Sequence, residues 1–169
     1  MERMHSPWRS RYIASFKEEK PRAGESLFSR LLREKKDTKN LIILRKKYCF
    51  VMMNLYPYNS GHLMVIPNRQ TADFTELTAK ETTEIMSTLQ EMTGVLRTVL
   101  KPHGFNIGAN LGRVAGAGVD DHLHFHIVPR WNGDTNFMPT LGDVKVVSDD
   151  MQSTYKQILA VLNRKKGKR

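Results

Sequence analysis

Short apolar runs, each bounded by polar or turn-forming residues, fill the part of the chain that begins near residue 41. Residues 41–44 and 49–54 are two such runs, and a basic break divides them. Residues 56–61 are dense in turn formers, and a third apolar run at 62–67 ends with Pro67. Runs of this length between turn signals are typical of β-strands. The pattern predicts three strands that pair as an antiparallel meander.

The apolar spacing then changes to three and four residues, which is the period of a helix face. Thr78 and Glu81 match a capping box, a sequence signature of a helix start, and Pro102 and Gly104 predict the end. We expect one long amphipathic helix over residues 78–101 that covers a face of the sheet. Its apolar positions are Ile85, Leu89, Met92, Leu96 and Val99.

Two further strands and a second helix follow. Residues 105–110 and 123–128 predict strands, with a glycine-rich loop at 111–118 between them. Residues 148–165 repeat apolar side chains at helical spacing and predict a C-terminal helix. The predicted fold class is α+β, a five-stranded and largely antiparallel sheet with one long helix packed on it and a C-terminal helix.

Length and composition then limit the class of protein. The chain has 169 residues, of which 40% are hydrophobic, and this fits one domain with a sizeable core. Its single cysteine, Cys49, permits no internal disulfide, and residues 1–15 are polar and basic, unlike a signal peptide. No stretch approaches the roughly 20 apolar residues of a membrane span. We expect a soluble, cytoplasmic protein that has no membrane partner.

The positive charge is concentrated at the two ends of the chain. The formal net charge is +10, but residues 48–163 alone carry −3, whereas residues 1–47 carry +8 and residues 164–169 carry +5. We therefore predict a basic N-terminal arm (1–39), one domain (40–163) and a basic tail. Such arms can bind phosphate backbones, but a lysine-rich tail is more often a solvated surface, so nucleic acid is not the favoured partner.

Three of the six histidines lie at alternate positions within one predicted strand. His122, His124 and His126 share one face of it, because successive side chains on a strand point to opposite faces. On a straight strand neighbouring histidines would be about 6.6 Å apart and the outer two about 13 Å. They cannot all bind one atom, so we expect distinct roles rather than a three-histidine metal cage.

The loop before the histidines contains three glycines, which allow backbone amides to approach a ligand closely. Successive amides in such a turn can form a nest for an anion. A neutral imidazole held in one tautomer can attack phosphorus, while a second imidazole and nearby amides stabilise the phosphoryl oxygens. The loop and the histidines together predict a phosphate site suited to nucleotidyl or phosphoryl transfer.

Four stretches of sequence carry a resemblance to a known family. His-Leu-His-Phe-His-Ile-Val at 122–128 has the alternating histidine signature, and residues 54–67, 104–112 and 129–139 match its accompanying motifs in order. On these motifs the chain resembles the histidine triad (HIT) family and, within it, the bacterial diadenosine tetraphosphate phosphorylase-like branch. The resemblance covers residues 40–147 and implies the HIT-like fold.

The resemblance implies a two-step transfer of a nucleoside monophosphate through a histidine. His124 would be the nucleophile, His126 would contact the phosphoryl oxygens and the leaving group, and His122 would support the site structurally. The substrate would be a nucleoside polyphosphate, the acceptor inorganic phosphate or water, and no cofactor is implied. Members of the family usually form homodimers, through the long helix and the sheet edge, and we expect a homodimer.

Binding roles follow from the same resemblance. Asn110 and the backbone amides around Gly116 and Gly118 would hold the phosphate. Asn54 would contact the ribose, and His62 would buttress the triad. The family more commonly has Gly-Gln-Ser where this chain has Gly-Ala-Gly, so backbone amides are expected to make the phosphate contacts.

Many bacterial relatives are expected to hold a structural zinc, and this chain departs from their ligand set. The set implied is a Cys-x-x-Cys near the N-terminus, a histidine shortly after the third strand and the first histidine of the triad, and a closed tetrahedral site needs all four. No cysteine precedes Asn40, and Gln70 stands where the histidine after the third strand is expected. We therefore predict that no metal is bound.

Two other functions remain open at the level of sequence. His-x-His on a strand beside Asp121 is also a metal-ligand pattern, which would suit a zinc-dependent hydrolase. Alternatively, the chain could be a nucleotide- or RNA-binding protein whose basic arms dominate its function.

Overall fold

The computed structural model describes residues 23–135 and 150–167 of the chain. Within these ranges it forms three α-helices and five strands. In chain order they are α1 (Leu27–Glu34), β1 (Ile42–Arg45), β2 (Cys49–Met53), β3 (Leu63–Pro67), α2 (Ala79–Leu100), β4 (Gly104–Ala109), β5 (Phe125–Arg130) and α3 (Met151–Lys166).

The five strands form one sheet in the order β1-β2-β3-β5-β4, and every neighbouring pair is antiparallel. This confirms the predicted α+β fold with its meander of the first three strands. The last strand in sequence, β5, inserts between β3 and β4, with Ile127 opposite both Leu63 and Ile107. The strand that carries the histidine motif is therefore supported by hydrogen bonds on both sides.

Helices cover both faces of the sheet. One face, which we call the closed face, packs against α2 and α3 through a continuous apolar core that includes Val51, Leu63, Val65, Ile127, Leu89, Met92 and Ile158. The opposite face carries a smaller core in which Phe28 and Leu31 of α1 pack on Ile42, Phe50, Met52, Met64 and Ile66. Because β2 and β3 are buried on both faces, they are uninterrupted apolar runs in the sequence.

The long helix forms where its capping signals predict it. The Thr78 side chain accepts a hydrogen bond from the Glu81 amide, and the Glu81 side chain accepts one from the Thr78 amide, so the capping box is complete. The helix ends at Leu100, and Lys101 takes a left-handed conformation with φ 48°.

Helix α1 lies within the segment predicted to be a basic arm. It begins after Ser26, whose side chain accepts a hydrogen bond from the Ser29 amide, and Phe28 and Leu31 are buried against the sheet. Leu27, Phe28, Leu31 and Leu32 have helical spacing, but the run covers only eight residues and most of the predicted arm lacks such a pattern. The division of the chain into arm, domain and tail remains a prediction, and most of the arm lies outside the described residues.

Strand β5 begins at Phe125, two residues later than predicted. Pairing with both neighbours starts there, with Phe125 opposite Val65 and Ala109, whereas the Leu123 amide donates to the carbonyl of Thr71 (2.7 Å). His122 and His124 therefore precede the regular strand. The spacing expected for a straight strand does not apply to all three histidines, because the backbone leaves the ladder before it reaches them.

At the C-terminal end, α3 continues to Lys166, so the predicted boundary between domain and tail at residue 163 falls inside a helix. Its predicted start at residue 148 lies outside the described residues, and Asp150 caps the helix as it is seen. Among the described residues, no helix is long and apolar enough to cross a membrane.

Candidate active site

The histidine side chains lie on the face of the sheet that α1 covers. His126 is opposite Met64 in the sheet register, and its ring centroid is 4.9 Å from that of His124, with the two rings nearly perpendicular. The Phe28 ring packs on the rings of both His122 (5.6 Å) and His124 (5.1 Å). We call this side of the sheet, opposite the closed face, the histidine face.

The environment of His124 favours a neutral ring with a defined tautomer. Burial lowers the pKa of His124, although a hydrogen bond to the His122 carbonyl raises it in part. A carbonyl can only accept, so His124 Nδ1 carries the hydrogen and donates it over 2.9 Å. The lone pair of the neutral ring is then on Nε2. This is the form that a nucleophilic histidine requires.

A chain of hydrogen bonds gives His126 the opposite tautomer, with its hydrogen on Nε2. The Tyr58 backbone amide donates to His62 Nδ1 (3.0 Å), so the hydrogen of a neutral His62 is on Nε2. His62 Nε2 lies 2.9 Å from His126 Nδ1 and donates to it. A neutral His126 therefore carries its own hydrogen on Nε2. At the cleft, His124 therefore presents a lone pair at Nε2, whereas His126 presents an N–H donor at Nε2.

His122 is held at both ring nitrogens. Nε2 donates to the Pro67 carbonyl (2.9 Å), which leaves Nδ1 as an acceptor, and the hydroxyl of Ser26 lies 2.6 Å from it. Burial lowers the pKa of His122 and so favours this neutral form. His122 is 1% exposed, and its held ring fixes the backbone whose carbonyl orients His124.

His124 and His126 open onto a cleft between the β2–β3 turn and the glycine-rich loop. Of the sequence-predicted residues, Asn54, Gly116 and Gly118 also line it. His62 stands behind His126, and the Asn110 amide nitrogen approaches Gly116, 3.6 Å from the position that a Cβ there would occupy. The complete lining is Phe28, Asn54, Tyr56, Tyr58, Met64, Gly116, Gly118, Val119, His124 and His126.

The glycine-rich loop is closed by its own backbone. Gly112 and Gly116 have φ of 81° and 95°, a region that favours glycine, and the turn between them is a short 3-10 helix. The Gly116 amide donates to the carbonyl of Arg113 (2.9 Å), and the Arg113 guanidinium pairs with Asp120 (2.6 Å). That amide is thus engaged within the loop, whereas a Cβ added at Gly118 would meet nothing within 4 Å.

Three aromatic side chains at the cleft escaped the sequence reasoning. Tyr58 packs on His62 and His126, with ring centroids at 4.9 and 5.8 Å, and Tyr56 lines the same wall. The Tyr-Pro-Tyr turn directly before His62 was the available signal for these two. Phe28 comes from a weakly patterned segment, and no comparable signal marks it.

The described residues offer little to a metal ion. They contain no group of three or more His, Cys, Asp or Glu side chains arranged to hold one. His122 Nδ1 contacts the hydroxyl of Ser26, which is followed by the hydroxyl of Ser29 and the amide of Gln70, and these are not the sulfur, imidazole or carboxylate ligands that zinc prefers. The residues present do not fit the zinc site implied by the family resemblance.

Comparison with known proteins agrees with the predicted fold and family. A family model described as "HIT domain" matches residues 35–133, and the chain belongs to this family. It is 38% identical over 157 residues to a Mycobacterium tuberculosis protein named AP-4-A phosphorylase, covering 91% of this chain and 80% of that one. It is 33% identical over 93 residues to the asymmetrical bis(5'-nucleosyl)-tetraphosphatase of Schizosaccharomyces pombe, covering 55% of this chain and 50% of that one.

Among solved structures, a zinc-bound histidine triad family protein from Mycobacterium smegmatis has the same fold. The TM-score is 0.69 at 23% sequence identity, and the match covers 86% of this chain and 98% of that one.

Proposed function

We propose that the protein is a nucleotidyltransferase or hydrolase that acts on nucleoside polyphosphates, similar to diadenosine tetraphosphate phosphorylases, through a histidine-nucleotidyl intermediate. One observation carries the proposal. His124 Nδ1 donates to a backbone carbonyl, which leaves the Nε2 lone pair available, and His126 lies beside it in the same cleft. Family membership and the similarity to a protein named AP-4-A phosphorylase support the substrate class.

In the first step His124 Nε2 attacks the α-phosphorus. A nitrogen–phosphorus bond forms, the bond from phosphorus to the bridging oxygen breaks, and the rest of the phosphate chain leaves with the electron pair. His126 Nε2–H donates a hydrogen bond to a phosphoryl or leaving-group oxygen, where negative charge grows. The His122 carbonyl faces the ring of His124 and stabilises the positive charge that develops there.

In the second step an oxygen of inorganic phosphate or water attacks the same phosphorus. The nitrogen–phosphorus bond breaks, its electron pair returns to His124 Nε2, and the acceptor's proton is lost to solvent. The enzyme is thereby restored to its starting form. Phosphate as the acceptor gives a nucleoside diphosphate, and water gives a nucleoside monophosphate.

The substrate lies along the cleft in this proposal. Asn54 meets the ribose, and Asn110 with the amides around Gly116 and Gly118 holds the phosphate. Since the Gly116 amide is engaged with Arg113, we assign the larger share of the phosphate contact to Gly118. His62 acts through His126, because its Nε2–H fixes the tautomer of that ring.

The expected assembly is a homodimer in the cytoplasm. Two features support the dimer: within the part of the chain that the structure describes, β4 is an edge strand with Ile107 49% exposed, and α2 carries Met86 at 56% exposure. An unpaired edge with an apolar side chain is a surface that another strand can cover.

A substrate screen tests the reaction class. Purified protein is incubated with diadenosine polyphosphates, nucleoside phosphoramidates and sugar nucleotides, with and without inorganic phosphate, and products are separated by chromatography. Nucleoside diphosphate formed only with phosphate identifies a phosphorylase, and nucleoside monophosphate formed without it identifies a hydrolase. The His124→Ala variant is the matched control, and full activity in that variant would refute the proposal.

Two measurements separate the alternatives. Loss of activity after chelation, restored by zinc, would favour the zinc-dependent hydrolase. Salt-dependent RNA binding that persists in the His124→Ala variant, with no turnover of any substrate in the wild type, would favour a nucleotide- or RNA-binding protein.

A further inference from the structure

Three polar side chains from two distant parts of the chain meet beneath His122. Ser26 Oγ lies 2.6 Å from His122 Nδ1 and 3.0 Å from Ser29 Oγ. The Ser29 hydroxyl and the Ser26 amide both donate to Gln70 Oε1, over 3.2 and 2.9 Å. The Gln70 amide nitrogen donates to the carbonyl of Gly24 (3.1 Å). We call Ser26, Ser29, Gln70 and His122 the polar clamp.

The spacing of these residues matches the zinc ligand set that the family resemblance implies. Ser26 and Ser29 have two residues between them, as in Cys-x-x-Cys. Gln70 follows the end of β3 by three residues, where a histidine is expected, and His122 is the first histidine of the triad. The chain keeps one ligand of the set, replaces the other three with neutral polar groups, and still brings all four positions together.

Hydrogen positions show how the clamp replaces coordination. Because His122 Nε2 donates to the Pro67 carbonyl, a lone pair remains at Nδ1. A metal would take that lone pair as a ligand, and here the Ser26 hydroxyl donates to it. Ser26 is 1% exposed, so this pairing also satisfies two polar groups that would be costly to bury alone.

We propose that the polar clamp is a metal-free substitute for the zinc site of related proteins, and that it docks α1 onto the sheet and positions His124. The docking follows from the contacts of Gln70 with Gly24 and Ser26, which tie the start of α1 to the residues after β3. The positioning follows from His122, which Ser26 holds by the ring and whose carbonyl accepts from His124 Nδ1. Ser26 is therefore a positioning residue rather than a catalytic one.

Rebuilding the metal site tests the first part of the proposal. The triple variant Ser26→Cys, Ser29→Cys, Gln70→His supplies the missing ligands. Purified under reducing conditions without a histidine tag, it is expected to bind about one zinc per chain and to melt at a higher temperature with zinc than after chelation. Wild-type protein is expected to contain no stoichiometric zinc and to melt at the same temperature with and without a chelator.

The double variant Ser26→Cys, Ser29→Cys is the matched control, since it lacks one ligand and should hold zinc more weakly than the triple variant. Stoichiometric zinc in the wild type, released by chelation with loss of thermal stability, would overturn the proposal. So would a triple variant that takes up no more zinc than the wild type. Neither readout depends on activity, so these outcomes test the clamp separately from the proposed function.

A second pair of variants tests positioning, which rests on the proposed role of His124. Ser26→Ala removes the donor to His122, whereas Ser29→Ala removes a hydroxyl that lies in the same helical turn but not against that ring. Ser26→Ala is expected to lower kcat roughly 10- to 100-fold with a smaller change in KM. The ring ¹⁵N signals of His122 and His124 should shift with it, and Ser29→Ala should leave both close to wild type.

A purely structural role for Ser26 as the N-cap of α1 predicts another result. The melting temperature would fall, but kcat per folded molecule and the ¹⁵N signals of His124 would stay unchanged. That outcome, or equal effects of Ser26→Ala and Ser29→Ala on kcat, would overturn the positioning role.

Discussion

The closed face and the histidine face are formed by the same strands but have different functions. In β5, Ile127 points into the apolar core under α2, and the neighbouring His126 points to the opposite side. The core of the closed face consists mainly of apolar side chains, and their burial stabilises the fold by about 1.5–3 kcal/mol for each large side chain removed from water. The histidine face buries imidazoles, each of which is retained by a specific hydrogen bond. The alternation of one strand thus separates the parts that stabilise the fold from the parts that carry chemistry.

The largest effect is expected from removing the proposed nucleophile on the histidine face. His124→Ala should lower turnover by several orders of magnitude, because the attacking atom is lost, while nucleotide binding and the free energy of unfolding change little. Steady-state kinetics, ligand titration and urea unfolding measure the three quantities. More than about a tenth of the wild-type rate in the variant would refute the assignment of His124.

On the closed face the effect should be on stability instead. Leu89→Ala removes a side chain of α2 that is 4% exposed, and it should lower the free energy of unfolding by about 2–5 kcal/mol through lost burial and a cavity. Leu111→Ala is the matched control, since Leu111 is 49% exposed and the change should cost no more than about 0.5 kcal/mol. Urea unfolding gives both values. A large loss of kcat per folded molecule in Leu89→Ala would contradict the assignment of stability to the closed face and of chemistry to the histidine face.

The buried histidines should make both stability and activity depend on pH. Burial lowers the pKa of both His122 and His124, so the folded protein binds fewer protons than the unfolded chain below the usual histidine pKa of about 6.5. Stability is therefore complete above that pH and is lost as pH falls from there toward the folded-state pKa values. Activity should survive to a pH below 6.5 and then fall as His124 becomes protonated.

Urea unfolding at pH 7.5 and at lower pH checks this expectation. The loss of stability on acidification should be smaller in His124→Gln than in wild type, because one of the two titrating groups is absent. An equal loss in both proteins would show that groups other than His124 account for it.

The smallest effect is expected from deleting residues 164–169. Residues 164–166 are the last residues of α3, which packs on the closed face, and charges farther from a site than a Debye length of about 8–10 Å act on it only weakly. Turnover of a small nucleotide substrate should remain close to wild type. A tenfold loss with the fold intact, by circular dichroism and kinetics, would link the tail to the site or to a dimer contact.

Local signals made much of the fold predictable. The capping box of Thr78 and Glu81 fixes the start of α2, and Pro67 marks the end of β3. Features that depend on distant contacts were not predictable in the same way. The start of β5 is set by the end of pairing at Phe125 and by the bond from Leu123 to Thr71, which no local pattern in the sequence reports.

The residues of the candidate site also fall into two groups, those marked by a local sequence signal and those placed by distant contacts. His124 and His126 stand out because alternating imidazoles are rare in a strand, and both line the cleft. Phe28 and Ser26 could not be found that way. Their roles depend on the docking of α1 onto the histidine face, which brings together residues that are far apart in the sequence. Gln70 was noticed only as a departure from the family pattern, and its hydrogen bonds to α1 needed the structure to be seen.

The partner of His124 Nδ1 has a consequence for the energy of the proposed intermediate. A carboxylate in that place could draw the ring hydrogen toward itself as phosphorus binds to Nε2, which would leave a nearly neutral and sluggish adduct. The His122 carbonyl is too weak a base to do so. The nucleotidylated ring therefore keeps its hydrogen and its positive charge, and it departs from phosphorus as a neutral imidazole, which is a good leaving group. The intermediate would be short-lived and easily reversed, and it could be discharged by an acceptor as weakly nucleophilic as phosphate or water.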